Sequence, residues 1–107
     1  KIDVNQAMDD GATPLLIASQ TGQTDVASHL LQKGALINKP MNNGSTALFA
    51  ACWKGKQSTA KLLLENGANL TKKGVNPDDK SIKTPLEIAE AENHQDIISL
   101  LNAFEAA

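Results

Sequence analysis

The sequence repeats itself at a fixed interval. The stretch from Gly11 to Gly22 returns 33 positions later, from Gly44 to Gly55, and a third copy opens at Thr84. Self-similarity at such a period indicates a repeat array, in which each unit buries its apolar face against its neighbours. Three units are about the fewest that bury a continuous core. A chain of 107 residues therefore predicts one small domain built as a solenoid.

Each unit is predicted to be a turn followed by two helices. Asp10-Gly11 and Asn43-Gly44 favour a tight hairpin turn in which both central residues take positive φ. A threonine follows each turn where its side-chain oxygen can cap the first free N–H groups of a helix, and proline follows that threonine in two copies. These threonines are Thr13, Thr46 and Thr84.

The ends of the helices are also marked in the sequence. The first helices are expected to end near Gly22, Gly55 and Asn93, and the second helices just before Gly34 and Gly67, where a left-handed residue is wanted. Each second helix carries a broad apolar stripe whose residues recur with the period of a helix. Its positions are Val26, Ala27, Leu30 and Leu31, then Thr59, Ala60, Leu63 and Leu64, then Ile97, Ile98, Leu100 and Leu101.

This pattern closely resembles the ankyrin repeat. Its motifs Gly-x-Thr-Pro-Leu, Ala-Ala-x-x-Gly and Leu-Leu-x-x-Gly-Ala-x-x-Asn are met nearly in full by residues 11–38. The resemblance implies an all-α solenoid of helix-turn-helix units linked by β-hairpin loops. The expected organisation is the tail of a preceding repeat at 1–7, unit one at 8–40, unit two at 41–73 and unit three at 74–107.

Two irregularities interrupt the array. Before unit three the spacing grows from 33 to 38 residues, which lengthens the hairpin between Lys72 and Lys83. Insertions in arrays project from one face, often the binding face, but a long surface loop also costs little extra closure entropy. The second irregularity is the polar surface of unit three from Glu87 to Asn102, which predicts a carboxyl-terminal cap. The outer flank of unit one has no such cap, which favours an upstream repeat or a shielding partner.

Composition excludes several classes of partner. The chain has 10 basic and 12 acidic residues, without the clustered positive charge of a nucleic-acid binder. It contains no apolar run approaching the roughly 20 residues that span a bilayer, so no membrane insertion is expected. One cysteine, Cys52, cannot form an internal disulfide, which favours an intracellular, cytoplasmic protein.

The sequence predicts no enzyme. Catalysis needs a nucleophile, a base and an orienting group in one pocket, and the candidates are few. His29, Cys52 and His94 are too far apart to suggest a standard metal site, and Asp78-Asp79 lacks the pattern of a calcium loop. Cys52 is interpreted as a small core residue, and the resemblance implies that His94 makes structural hydrogen bonds to the backbone. No cofactor, metal or small-molecule substrate is expected.

The resemblance implies instead a protein partner, bound along the concave surface of the hairpin tips and the first helices. The residues predicted to bind it are Asp9, Asp10, Leu16, Gln20 and Thr21 in unit one, Asn42, Asn43, Ser45, Phe49, Trp53 and Lys54 in unit two, and Lys83 and Glu87 in unit three. Trp53 leads this set because exposed aromatic residues often dominate interfaces, and Phe49 lies four residues earlier on the same predicted face. The alternative is that Trp53 only covers the root of the long hairpin.

Two functional hypotheses remain. The first is a non-enzymatic interaction module with its concave surface centred on Phe49 and Trp53. The second is a structural or regulatory segment of a larger protein, such as a channel, enzyme or effector, that packs against a neighbouring domain. The uncapped flank of unit one favours the second hypothesis.

Overall fold

The computed structural model describes residues 3–106 as three stacked pairs of helices. The helices are α1 (Pro14–Gln20), α2 (Thr24–Gln32), α3 (Ala47–Lys54), α4 (Gln57–Glu65), α5 (Pro85–Ala91) and α6 (Gln95–Ala106), with strands β1 (Gly74–Val75) and β2 (Ile82–Lys83) before α5. The first helices α1, α3 and α5 form one layer and the second helices α2, α4 and α6 another, because each helix packs on its partner and on the matching helix of the next unit. The predicted solenoid is confirmed. Lys1 and Ile2, part of the predicted tail, lie outside the described residues.

The threonines begin the first helices as predicted. Each hydroxyl accepts a hydrogen bond from the backbone N–H three residues further on, at 3.2 Å for Thr13 and Thr46 and 3.1 Å for Thr84. At α5 the cap is reciprocal, because the Glu87 carboxylate accepts from the Thr84 N–H at 2.8 Å. This bond is the main cause that lowers the pKa of Glu87 below its usual value.

The helix ends lie where the sequence indicates. Gly22, Gly55 and Asn93 follow the first helices with φ of 74°, 73° and 59°, and Gly34 and Gly67 follow the second helices with φ of 96° and 89°. Asparagine tolerates the left-handed region better than most residues, so Asn93 can stand where the other units have glycine.

The predicted turn geometry at the hairpin tips is wrong in one respect. Of the two turn residues only the glycine has positive φ, 90° at Gly11 and 95° at Gly44, whereas Asp10 and Asn43 do not. Their side-chain oxygens instead accept the backbone N–H two residues further on, in both cases at 2.9 Å. This side-chain bond mimics a backbone turn, so a single left-handed glycine is enough to reverse the chain.

Hydrogen bonds between units repeat with the array. Asn5 Oδ1 accepts from the Leu36 N–H at 2.8 Å, and Asn38 Oδ1 accepts from the Asn69 N–H at 2.8 Å. Asn5 and Asn38 are one repeat apart in the sequence. Asn5 therefore contacts unit one as Asn38 contacts unit two.

Small residues form the centre of the core, between the first helices. Ala18, Ala51 and Ala89 occupy equivalent positions of α1, α3 and α5, and all three are buried. Cys52 beside them is also buried, which raises the pKa of its thiol to about 12. Its predicted place as a small core residue is confirmed.

Candidate functional site

The longer connection before unit three folds as a short hairpin that returns onto unit two. Strands β1 and β2 pair antiparallel, with Gly74 opposite Lys83 and Val75 opposite Ile82. The turn between them is closed by the Asn76 and Lys80 backbone N–H groups, which donate to the carbonyls of Ser81 and Asn76 at 2.8 Å. We call residues 74–83 the unit-three hairpin.

The base of the unit-three hairpin is in close contact with α3 and the turn before it. The Val75 N–H donates to Ser45 Oγ at 3.1 Å. Gly74 is buried so closely that an added Cβ would lie 2.6 Å from Ser45 Oγ and 2.8 Å from Phe49 Cγ. Only a residue without a side chain fits between the hairpin and Phe49.

The turn of the unit-three hairpin is ordered by its own polar side chains. Asn76 is buried and its Oδ1 accepts from the Asp78 N–H at 2.9 Å. Asp79 accepts from both the hydroxyl and the N–H of Ser81, and the hydroxyl bond is the main cause that lowers the pKa of Asp79. The hairpin therefore has a defined shape in solvent beside α3.

A cleft of about 320 Å³ opens between the hairpin tips and the first helices. Its lining is mainly apolar, with charged residues on the walls formed by unit one and unit three. The lining residues are Asp10, Leu16, Gln20, Met41, Asn43, Ser45, Phe49, Ala50, Trp53, Val75, Pro77 and Lys80. We call this the tip cleft.

Trp53 has contacts outside the tip cleft as well. Its half-buried ring packs against the hydrophobic core, and Lys54 Nζ lies 4.4 Å from the ring centroid, in cation–π range. The Trp53 carbonyl oxygen is 3.1 Å from His94 Nε2, a hydrogen bond that joins units two and three. His94 thus bonds the backbone, as the resemblance implies.

Three of the predicted binding residues are not exposed as expected. Phe49 and Leu16 are each 2% exposed, and Ser45 is 5% exposed. Phe49 lies under Gly74 of the unit-three hairpin, Leu16 packs with Ala50, and the Ser45 hydroxyl accepts the Val75 N–H. Their predicted exposure is wrong because residues distant in the sequence cover them.

The structure divides the predicted binding residues into two groups. Asp10, Leu16, Gln20, Asn43, Ser45, Phe49 and Trp53 line the tip cleft. Asp9, Thr21, Asn42, Lys54, Lys83 and Glu87 lie outside its lining. Asn42 ties the tips of units one and two together, because its backbone N–H and side-chain amide donate to the Asp10 and Asp9 carbonyls at 2.9 Å.

Five residues of the lining were not predicted. They are Met41, Ala50, Val75, Pro77 and Lys80. For the last three the irregular spacing before unit three was a usable signal, because it indicated a contact loop as one alternative. Nothing in the sequence indicates that Met41 and Ala50 face the same space.

A family model for ankyrin repeats (3 copies) matches residues 1–74. The chain belongs to the ankyrin-repeat family. Unit three lies almost wholly beyond the matched residues, yet its helix pair stacks on this ankyrin array as the others do. Ankyrin repeats are generally protein-interaction modules and are typically non-enzymatic. No curated protein matches the sequence.

Residues 3–106 lack the features of two other kinds of site. This part of the ankyrin array contains no group of three or more histidine, cysteine and carboxylate side chains that could hold a metal ion. None of the helices described between these residues is long and apolar enough to cross a membrane.

Proposed function

We propose that the chain is a non-enzymatic protein-interaction module whose partner binds at the tip cleft. The observation that carries this proposal is an apolar depression of about 320 Å³ with the half-buried Trp53 in its lining. The residues that dominate protein interfaces are often aromatic side chains in well-packed pockets. The intracellular location predicted from Cys52 stays a prediction.

The tip cleft is supported on several sides before any partner arrives. The Ser45–Val75 hydrogen bond connects the unit-three hairpin to unit two, and the bonds made by Asn42 connect unit two to unit one. The core and Lys54 restrict the ring of Trp53. A wall that is already ordered loses little conformational entropy on binding, so more of the interaction energy appears as affinity.

Truncation of Trp53 tests the proposal. A partner captured from the cells that produce the chain should bind Trp53→Ala more than about fivefold more weakly, since a buried tryptophan at an interface contributes more than about 1 kcal/mol. Affinity is measured by calorimetry with the purified partner. Lys61→Ala, at an exposed position of α4 outside the tip cleft, should bind as the wild type does. Equal affinity of a folded Trp53→Ala variant would exclude Trp53 as a hot spot.

A second candidate function is suggested by the outer flank of unit one, which we define by Ile17 and Val26. Ile17 is 40% exposed, whereas the equivalent Ile88 is fully buried against the preceding unit. Val26 is 45% exposed, whereas the equivalent Ile97 is fully buried. An apolar flank of this kind suits a segment of a larger protein that packs against a neighbouring domain.

Charge on this flank separates the two candidates. In the full-length polypeptide, Val26→Glu should lower the midpoint of thermal unfolding if a neighbouring domain covers the flank. The same change in the 107-residue chain should have a smaller effect, because Val26 is already 45% exposed there. An unchanged midpoint in the full-length polypeptide would count against the segment hypothesis.

A further inference from the structure

We propose, on the basis of the function proposed above, that the tip cleft takes one large apolar side chain from an extended partner segment. In that segment a basic residue lies toward unit one and an acidic residue lies toward the unit-three hairpin. The proposal rests on the size of the cleft, on the nature of its lining and on the order of the charges along its wall.

The size of the cleft limits the occupant. Its volume of about 320 Å³ lies at the lower end of the range of about 300–1,000 Å³ found for pockets that hold small molecules. It therefore suits one large side chain and not a folded element. Met41, Trp53, Val75 and Pro77 give this space an apolar lining, and the flexible thioether of Met41 can adapt to different apolar side chains.

The charges of the lining have opposite signs on the walls of units one and three. Asp10 stands at the tip of unit one and Lys80 in the turn of the unit-three hairpin, and both are exposed. Asp10 Oδ1 accepts one hydrogen bond, from the Ala12 N–H. Lys80 Nζ donates one hydrogen bond, to the Pro77 carbonyl at 3.0 Å. A carboxylate accepts about four hydrogen bonds and an ammonium group donates three, so each retains capacity for a partner.

The order of these charges is held by the array itself. Asn42 hydrogen-bonds the hairpin tip of unit two to the tip of unit one. Ser45, which follows the tip of unit two, accepts a hydrogen bond from Val75 of the unit-three hairpin. Asp10 and Lys80 are therefore attached to the two ends of one connected wall. Exposed charge pairs add little affinity, but they select the partner and its direction. A segment lying along this wall is favoured when its charges run in the complementary order.

Selection from a peptide library tests this proposal. A phage-displayed library of random 12-residue peptides is panned against the immobilised 107-residue chain. Enriched sequences should share a large apolar residue with a basic residue on one side and an acidic residue on the other, in one constant order. The double variant Asp10→Lys/Lys80→Glu should enrich the reversed order. A synthetic peptide selected on the wild type should bind this variant about three- to tenfold more weakly.

Two further variants keep the test decisive. Asp10→Asn/Lys80→Gln preserves an acceptor for the Ala12 N–H while removing both charges, so it should enrich apolar peptides without a charge order. Asp25→Lys/Lys61→Glu is the matched charge swap at exposed positions of α2 and α4 outside the tip cleft, and it should enrich the wild-type sequences. Circular dichroism verifies that each variant is folded.

The outcomes distinguish this proposal from the function on which it rests. Failure to enrich any peptide on the wild type overturns the proposal, as does a charge order that is absent or unchanged in the swapped variant. If peptides without a charge order are enriched and lose binding in Trp53→Ala, the proposed function stands and the charge order falls. If enriched peptides bind a folded Trp53→Ala variant as well as the wild type, both fall.

Discussion

Phe49 and Trp53 lie four residues apart on α3 and have different surroundings. Both line the tip cleft, but Phe49 is buried beneath Gly74 whereas Trp53 is half-buried. The sequence predicts that both are exposed because four residues bring side chains to one face of a helix. The residue that covers Phe49 comes from the next unit, so the spacing within α3 carries no information about it.

Gly74 is a residue where an added methyl group should be costly. We expect Gly74→Ala to lower the free energy of unfolding by about 1–3 kcal/mol, because its Cβ would overlap Ser45 and Phe49. Urea unfolding followed by circular dichroism measures this. Lys73→Ala, at the exposed neighbouring position, should change stability by less than about 0.5 kcal/mol. Equal stabilities of the two variants would show that Gly74 of the unit-three hairpin is not in close contact with Phe49.

The thiol of Cys52 should not react with thiol reagents in the folded protein. Burial raises the pKa of its thiol to about 12, so almost no reactive thiolate forms between pH 7 and 9 and the sulfur is inaccessible. We expect a disulfide reagent such as dithiobisnitrobenzoate to label Cys52 only as fast as the protein unfolds, and at once in denaturant. Rapid labelling of the folded protein at pH 8 would contradict this.

Among the elements, α5 begins with the most complete cap. Thr84 and Glu87 each accept a backbone N–H of the other, and Pro85 occupies the first position. At α1 and α3 only the threonine bond is present, because the residues at the position of Glu87 are Leu16 and Phe49, whose side chains cannot return such a bond. The unit-three hairpin thus leads into a helix start that is defined by its own sequence.

The cap of α5 should give stability a dependence on acid pH. The folded state lowers the pKa of Glu87, so the contribution of this carboxylate is present above its pKa in the unfolded chain and is lost as the pH falls through its lower pKa in the folded state. We expect Glu87→Gln to be less stable than the wild type at pH 7 and to approach it at pH 3. Urea unfolding at both pH values measures the difference. A gap that does not narrow would assign the loss to geometry and not to charge.

Over the whole molecule, equivalent residues differ in burial according to which unit covers them. Ile17, at the open flank of unit one, is 40% exposed, whereas Ile88 is fully buried between units two and three. The two residues occupy equivalent positions of α1 and α5. The isoleucine that is buried at an inner interface of the array is therefore partly exposed at the outer flank of unit one.

This pair of isoleucines provides a matched test of stacking. We expect Ile88→Ala to reduce the free energy of unfolding by about 2–5 kcal/mol, because it leaves a cavity in the core. Ile17→Ala should cost less than about 1.5 kcal/mol, since much of that side chain is in solvent. Urea unfolding of both variants gives the two values. Similar losses would mean that the flank is covered in solution, for example by a second copy of the chain.

Much of the fold was predictable because it depends on short-range interactions. Thr13 caps α1 through a bond to a residue three positions away, and Gly22 and Asn93 end helices through their own φ. Each such interaction is complete within one unit, and the repetition of the units shows that the pattern is systematic. The turn geometry at Asp10 was mispredicted because the side-chain bond to the Ala12 N–H competes with the positive φ that the dipeptide suggests.

The candidate site was predictable only in its general position. The sequence predicts Asp10, Asn43 and Trp53 as binding residues at the tips and on α3, and all three line the tip cleft. The burial of Phe49 and the participation of Lys80 depend on where the unit-three hairpin folds. That direction is set by contacts between residues about 30 positions apart, such as the Val75–Ser45 bond, and no local pattern reports them.

The repeat in the sequence accounts for the units, their caps and their order of stacking, since all of these follow from interactions that recur in each copy. The break in the repeat marks the position of an insertion but does not indicate the conformation of the inserted residues. Tertiary packing folds that insertion into a hairpin that buries Phe49, donates a hydrogen bond to Ser45 and brings Lys80 into the same cleft lining as Asp10. The physical reason is that an irregular insertion has no equivalent in the other units, so its position is decided by the surface on which it lands.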